Sequence, residues 1–287
     1  MRFEAPSTVE AAVSLLAAES GMARVLAGGT DLLVQMKSGM SEPDLVVDIK
    51  RIEALHEITE EDGGYRIGAA VPGICLGEHE GVKTAWPGVV EGTELIGSTQ
   101  IQGRATMVGN LCNCSPAADS VPAMAAAGAV ARVTGPDGTR DVPVEQIAAG
   151  PGKSNLAKGE MVESVFLPAR PAHASDAYLR FIPRTEMDIA VVGCGVNLVF
   201  DQDGLCIEAR VALGAVAARV FIVPDAAEAL VGTQVDDAAL DALAAACSAA
   251  ATPIDDKRGT VEFRKKVAGV LARRAATIAR DRAKGSA

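Results

Sequence analysis

Residues 25–39 read VLAGGTDLLVQMKSG: an apolar run, two adjacent glycines, then a threonine and an aspartate opening a stretch with helical spacing. Gly28 and Gly29 lack a Cβ, so the chain can take positive φ there and its N–H groups can approach a ligand closely. At the mouth of a helix those donors add to the positive end of the helix dipole, which suits a phosphate. A glycine pair between a strand and a helix also serves as an ordinary tight turn, so this reading needs a second segment. TMVGNLCNCSPAADS, residues 106–120, supplies it, with small residues, glycine and asparagine again placed ahead of a helix. Neither segment is a G-x-G-x-x-G fingerprint, and neither is a P-loop, because no G-K-[ST] follows.

Around these two segments the chain punctuates itself. STVEAAVSLLAAES reads as a short amphipathic helix with Ser7 or Thr8 as its start signal. ARVLAGG is a strand running into the glycines, and TDLLVQMKSG is a helix that Thr30 or Asp31 can cap and Gly39 can end. DLVVDI (residues 44–49) and YRIGAAV (residues 65–71) are β-branched runs expected to pair in sheets. The stretch from Trp86 to Asn110 carries many glycines and polar residues; a helix follows it with Ser120 as cap, Pro122 in its first turn and Gly128 past its end. AVARVTGPDGTRDVPV is a hairpin on the turn GPDG. From about 145 to 175 the chain is rich in Gly, Pro and polar residues, and the domain junction is placed near the end of that stretch. Beyond it two strands flank the DQDG turn, followed by helices in PDAAEALVG, in DDAALDALAAACSAA and from about Val261 to Lys284, an α+β pattern.

Composition bounds the function. The chain has 287 residues, 49% of them apolar but only 3% aromatic, so its core must be built from small side chains packed closely. A formal net charge of -10 argues against nucleic acid and anionic membranes as general partners. No apolar run approaches the roughly 20 residues that span a bilayer, and the N-terminus lacks a secretory pattern, so a cytoplasmic location is expected. The six cysteines include one C-x-C pair, Cys112 and Cys114, and no C-x-x-C, which reads as reduced thiols without a metal or iron–sulfur cluster on this chain. His56, His79 and His173 lie in polar stretches with no metal or triad spacing. Lys265, Lys266, Arg273 and Arg274 on the last helix read as a solvated face, with contact to a partner subunit as the alternative.

The two motifs, their order and their separation resemble the FAD-binding medium subunit of the molybdenum hydroxylases, the carbon monoxide dehydrogenase and xanthine dehydrogenase family, over almost the whole chain. The first motif is LAGGTDL, residues 26–32, and the second is TMVGN, residues 106–110, with Asp119 following in SPAADS; RTEMDIAVVGCGVNL from Arg184 resembles the segment that borders the flavin ring. The resemblance implies an α+β fold: a two-part FAD-binding domain of the vanillyl-alcohol-oxidase (PCMH) type over residues 1–175, splitting near 55. A smaller C-terminal domain of carbon monoxide dehydrogenase flavoprotein type follows over 176–287, with a three-stranded sheet plus helices. It implies FAD contacts from Leu26, Ala27, Gly28, Gly29, Thr30, Asp31 and Leu32, from Thr106, Met107, Val108, Gly109 and Asn110, and from Asp119 and Ile189. Asp31 can meet the ribityl hydroxyls or cap its helix, and Asp188 can border the flavin or serve a turn. Val108 departs from the family, which commonly has two glycines before the asparagine; a β-branched residue there means either ordinary backbone or a shifted loop. The insertion that carries an extra cluster in the 4-hydroxybenzoyl-CoA reductase branch is absent from the sequence.

What the resemblance implies for function is electron transfer. FAD on this chain takes electrons from [2Fe-2S] clusters of a small partner subunit, which are fed by a molybdopterin centre on a large one, and passes them to an external acceptor. The assembly expected is a dimer of heterotrimers, with no catalytic side chain and no metal on this chain. The alternatives are a stand-alone flavin oxidase of the vanillyl-alcohol-oxidase type and a non-catalytic nucleotide-binding scaffold.

Overall fold

The computed structural model describes residues 1–285. The chain opens with β1 (Arg2–Glu4), α1 (Val9–Ala18), β2 (Ala23–Leu26), α2 (Leu32–Lys37) and β3 (Leu45–Asp48). The three strands form a parallel sheet in the order β1-β3-β2. The Thr8 hydroxyl accepts from the Ala11 amide at the start of α1, whose buried Ala12, Val13 and Leu16 cover β3. Asp31 stands at the start of α2 but makes no capping bond, and no residue of α2 is buried. Gly39 ends that helix at φ +73, a conformation that glycine tolerates without penalty.

After two single-turn 3-10 helices (Ile49–Arg51 and Glu53–His56), β4 (Ile58–Glu61) and β5 (Gly64–Gly68) begin a second sheet. Helices α3 (Gly73–Glu78), α4 (Glu80–Ala85), α5 (Pro87–Glu94), α6 (Thr99–Gln102), α7 (Met107–Cys112) and α8 (Ser120–Ala126) then precede β6 (Val130–Gly135) and β7 (Gly138–Pro143). The glycine-rich stretch after Trp86 is therefore helical, for a packing reason. A Cβ on Gly88 would stand 2.6 Å from the Asp176 carboxylate, and one on Gly92 would stand 3.0 Å from the Asp119 carbonyl, so these glycines let α5 lie close to its neighbours. The hairpin β8 (Ala148–Gly150) and β9 (Lys153–Ser154) leads to β10 (Met161–Leu167), the middle strand of the antiparallel sheet β4-β5-β10-β6-β7. A bulge between Val162 and Ser164 breaks the period-two pattern of β10, which is why the segment reads as loop in the sequence.

The rest of the chain comprises β11 (Ala174–Phe181), β12 (Val192–Phe200), β13 (Cys206–Gly214), β14 (Phe221–Ile222), α9 (Pro224–Glu228), α10 (Asp237–Ala250) and α11 (Val261–Ala283). Its sheet, β11-β12-β13-β14, has four strands and not the expected three; β14 is two residues long, too short to carry a pattern. The sequence boundary at 175/176 falls inside β11. Every residue of β12 is buried. Helices α10 and α11 cover one side of this sheet and cross at Gly269, where a Cβ would press on Ser248 and the Ala244 carbonyl. Helix α8 packs against β12 and β13, and a Cβ at Gly195 would meet the Pro122 carbonyl, so the two halves of the chain join through close backbone contact. Among the described residues no helix is long and apolar enough to cross a membrane.

Candidate functional site

The turn between β2 and α2 faces the turn into α7 across a cleft of about 530 Å³. Leu26, Ala27, Gly28, Gly29, Thr30, Asp31 and Leu32 line one wall; Thr106, Val108, Gly109 and Asn110 line the facing one. Their closeness depends on Gly28, where a Cβ would run into the Arg104 carbonyl oxygen. Arg104 Nε donates to the Gly28 carbonyl at 3.3 Å and Lys50 Nζ to that of Ala27 at 3.1 Å, so two cations hold the first turn by its carbonyls. Gly29 sits at φ +77. Among the described residues the amides of Gly28, Gly29, Thr30, Asp31 and Leu32 have no hydrogen-bond acceptor. Unpaired N–H groups in a turn of mixed handedness form an anion-binding concavity, and a cleft of this volume is typical for a nucleotide cofactor.

The second wall is held from within. The Thr106 hydroxyl accepts from the Gly109 amide at 2.9 Å and caps α7. The Asn110 side-chain oxygen accepts from both the amide (3.2 Å) and the hydroxyl (2.7 Å) of Ser120, tying the second turn to α8. Ser120 thus supports Asn110 rather than capping its own helix, where no side-chain cap forms. Val108 lies inside α7 in ordinary helical backbone and is buried, so a β-branched residue fits without a shifted loop. Cys112 faces the cleft, whereas Cys114 is buried at φ +51 with its thiol donating to the Cys112 carbonyl.

Three of the expected contact residues stand away from this cleft. Met107 points into the core at 2% exposure. Asp119 is buried at the junction with the C-terminal part, where it accepts from Tyr178 Oη at 3.0 Å and Arg180 Nη1 at 2.7 Å. Burial pushes its carboxyl up to about 6, outweighing the opposing pull of Arg180 and Tyr178. Ile189 is exposed on the segment between β11 and β12, beside Asp188, whose carboxylate accepts from the Ile189 amide and faces Arg184 and Arg258.

A third wall was not anticipated: Gly152 and the run Leu156–Val162, opposite Glu19–Arg24. Gly159 at φ +85 lets this connection pack on α1 and Pro136, and the glycine in KGE was its one local signal. Its two carboxylates are paired. The amide of Gly21 and then Arg2 hold Glu19 below the usual carboxylate range, and Arg140 does the same for Glu160. Among the described residues no cluster of three or more potential ligands suits a metal ion.

The first glycine turn presents bare amides to a cleft of cofactor size, an arrangement suited to an anionic group. Residues 1–170 match the family described as the FAD binding domain in molybdopterin dehydrogenase, and residues 177–279 match the CO dehydrogenase flavoprotein C-terminal domain. The chain is 33% identical over 282 residues to the carbon monoxide dehydrogenase medium chain of Afipia carboxidovorans, covering 98% of this chain and 97% of that one. It is 30% identical over 260 residues to the putative xanthine dehydrogenase FAD-binding subunit of Escherichia coli, covering 90% and 88%. Among solved structures it is similar to CO dehydrogenase from Oligotropha carboxidovorans (TM-score 0.93, 32% identity, 98% of each chain). It is also similar to quinoline 2-oxidoreductase from Pseudomonas putida (TM-score 0.89, 26% identity, 100% and 98% covered). The chain therefore belongs to the family of FAD-binding medium subunits of the molybdenum hydroxylases. Its activity class is oxidoreductase and its own cofactor is FAD.

Proposed function

We propose that this chain is the electron-transfer subunit of a molybdenum hydroxylase complex. It accepts electrons from [2Fe-2S] clusters on a small partner subunit, which receives them from a molybdopterin centre on a large one, and delivers them to an external acceptor. The observation that carries the reading is the row of unpaired amides from Gly28 to Leu32 facing Thr106–Asn110 across the cleft. That donor set fits a pyrophosphate, and the missing Cβ atoms at Gly28 and Gly29 leave the backbone free to approach it. When bound, the flavin supplies conversion between one-electron and two-electron transfer.

The chain's own residues hold and shape. The turn Ala27–Asp31 offers N–H donors, Thr106 and Ser120 keep Gly109 and Asn110 in place, and Lys50 and Arg104 fix the first turn through its carbonyls. By resemblance, Met107 is assigned with the rest of the second turn to the pyrophosphate and ribityl chain, Asp119 to a cofactor contact and Ile189 to the side of the isoalloxazine. The division into residues 1–175 and 176–287, with the first part splitting near 55, is proposed with the same roles. No side chain here is assigned a catalytic acid, base or nucleophile role. A self-contained oxidase is less well supported, because the relatives carry names of medium chains and FAD-binding subunits. We place the assembly in the cytoplasm as a dimer of heterotrimers.

Affinity purification of the tagged chain from its native host tests this reading. Co-elution of a larger subunit with molybdenum and a smaller one with iron, beside stoichiometric FAD, is the expected result. Steady turnover of an organic substrate by the chain alone, or a folded chain devoid of FAD affinity, overturns it.

A further inference from the structure

A second cavity of about 430 Å³ lies beside the β8–β9 hairpin, on the other side of Leu156, which lines both cavities. Its apolar floor is Val142, Ile147 and Leu156, the first two exposed by only 8% and 1%. Arg140 and Arg219 flank that floor. Arg140 shares a face of β7 with Val142, since alternate residues of a strand point the same way. Arg219 arrives from the connection between β13 and β14 and reaches the Ala148 carbonyl at 3.4 Å. Two guanidinium groups from opposite parts of the chain thus converge on one cavity, in a protein whose net charge is -10.

The two arginines differ in their partners. Glu160 holds Arg140 through two bonds of 2.8 Å each, and Glu160 also accepts from the Ala157 amide. Arg219 has no acidic partner among the described residues. The carboxamide of Asn155 is spent on the Gln146 carbonyl at 2.7 Å, while the Gln146 side chain, also at the cavity, makes no hydrogen bond among the described residues. We propose that this cavity is a binding site for a small organic carboxylate with an apolar body. The planar fork of Arg219 matches a carboxylate in two-point geometry, and the Gln146 amide adds a donor. The floor of Val142, Ile147 and Leu156 takes the apolar body, which inorganic phosphate does not have. Arg140 joins to the extent that Glu160 releases it. This site is independent of the FAD assignment.

Calorimetric titration of the purified full-length chain with benzoate tests it, with benzamide as the neutral isostere and inorganic phosphate as the compact anion. Benzoate is expected to bind saturably and at least about tenfold more tightly than benzamide or phosphate. Arg219→Gln, at an exposed position, is expected to weaken benzoate by about tenfold, and Glu160→Gln to strengthen it severalfold by freeing Arg140. No saturable benzoate binding, equal binding of benzoate and benzamide, or an affinity unchanged by Arg219→Gln overturns the proposal.

Discussion

At Gly28 the missing side chain has two uses. It bares an amide to the cleft, as the sequence motif indicates, and it admits the Arg104 carbonyl of the facing turn, which no local pattern reveals. Gly28→Ala should drive the two walls apart, costing about 1–3 kcal/mol of stability by overpacking and lowering the FAD-to-protein ratio of the purified chain. An unchanged ratio and melting temperature would remove the close approach as a requirement. Asp119 provides the pH-dependent counterpart. Its carboxyl stands at about 6 against the ordinary 3.8, so the folded protein holds that proton more tightly than the unfolded chain does. The linkage sign follows: this group's contribution is fullest below the unfolded value and falls away as pH rises from about 4 to about 6. Urea unfolding at several pH values should show Asp119→Asn losing that decline relative to the parent, with the difference confined to this window.

Among the elements, legibility followed periodicity and caps. Helices α1, α10 and α11 carry apolar spacing and begin at Thr8, Asp236 and Thr260, each of which accepts a backbone amide. Helices α5 to α7 are short, with glycines in α5 and α7, and are held by what they pack against rather than by intrinsic preference, so their sequence reads as loop. The two elements that open onto the cleft differ in how they are held. Helix α7 has the Thr106 cap and buried Met107, Val108 and Leu111, whereas α2 has neither a cap bond nor a buried residue. Thr106→Val, which keeps the shape and removes the hydroxyl, should cost about 1 kcal/mol and raise the dissociation constant for FAD. Chemical denaturation and flavin titration of the same variant measure both. Stability lost with FAD affinity intact would separate the cap from the cofactor.

The two halves are joined by a polar seam as well as by the α8–β12 contact. Alternate residues of β11, namely Asp176, Tyr178 and Arg180, turn toward α5 and the start of α8. The Arg170 guanidinium lies 3.6 Å over the Trp86 ring and donates to Asp176 at 2.5 Å and Asn197 at 2.8 Å, while Arg282 reaches from α11 to Glu91 on α5. Asp176 is 1% exposed, so it tolerates its charge only through such partners. Arg170→Ala strands that carboxylate and should cost about 3–5 kcal/mol, seen as a lower unfolding midpoint. A change within 1 kcal/mol, in the range of an exposed pair, would show the seam to be replaceable.

The strands and helices around the first glycine motif, the hairpin at GPDG, the capped helices and the two glycine motifs were determined by local chemistry: hydrophobic period, side-chain caps and φ tolerance act over a few residues and can be read from a few residues. The four-strand sheet, the placement of bulged β10 at the centre of its sheet, the third wall of the cleft and the burial of Asp119 against Tyr178 and Arg180 were decided by the folded whole. Each of these depends on groups tens of residues apart, whose meeting is set by packing that no single segment encodes.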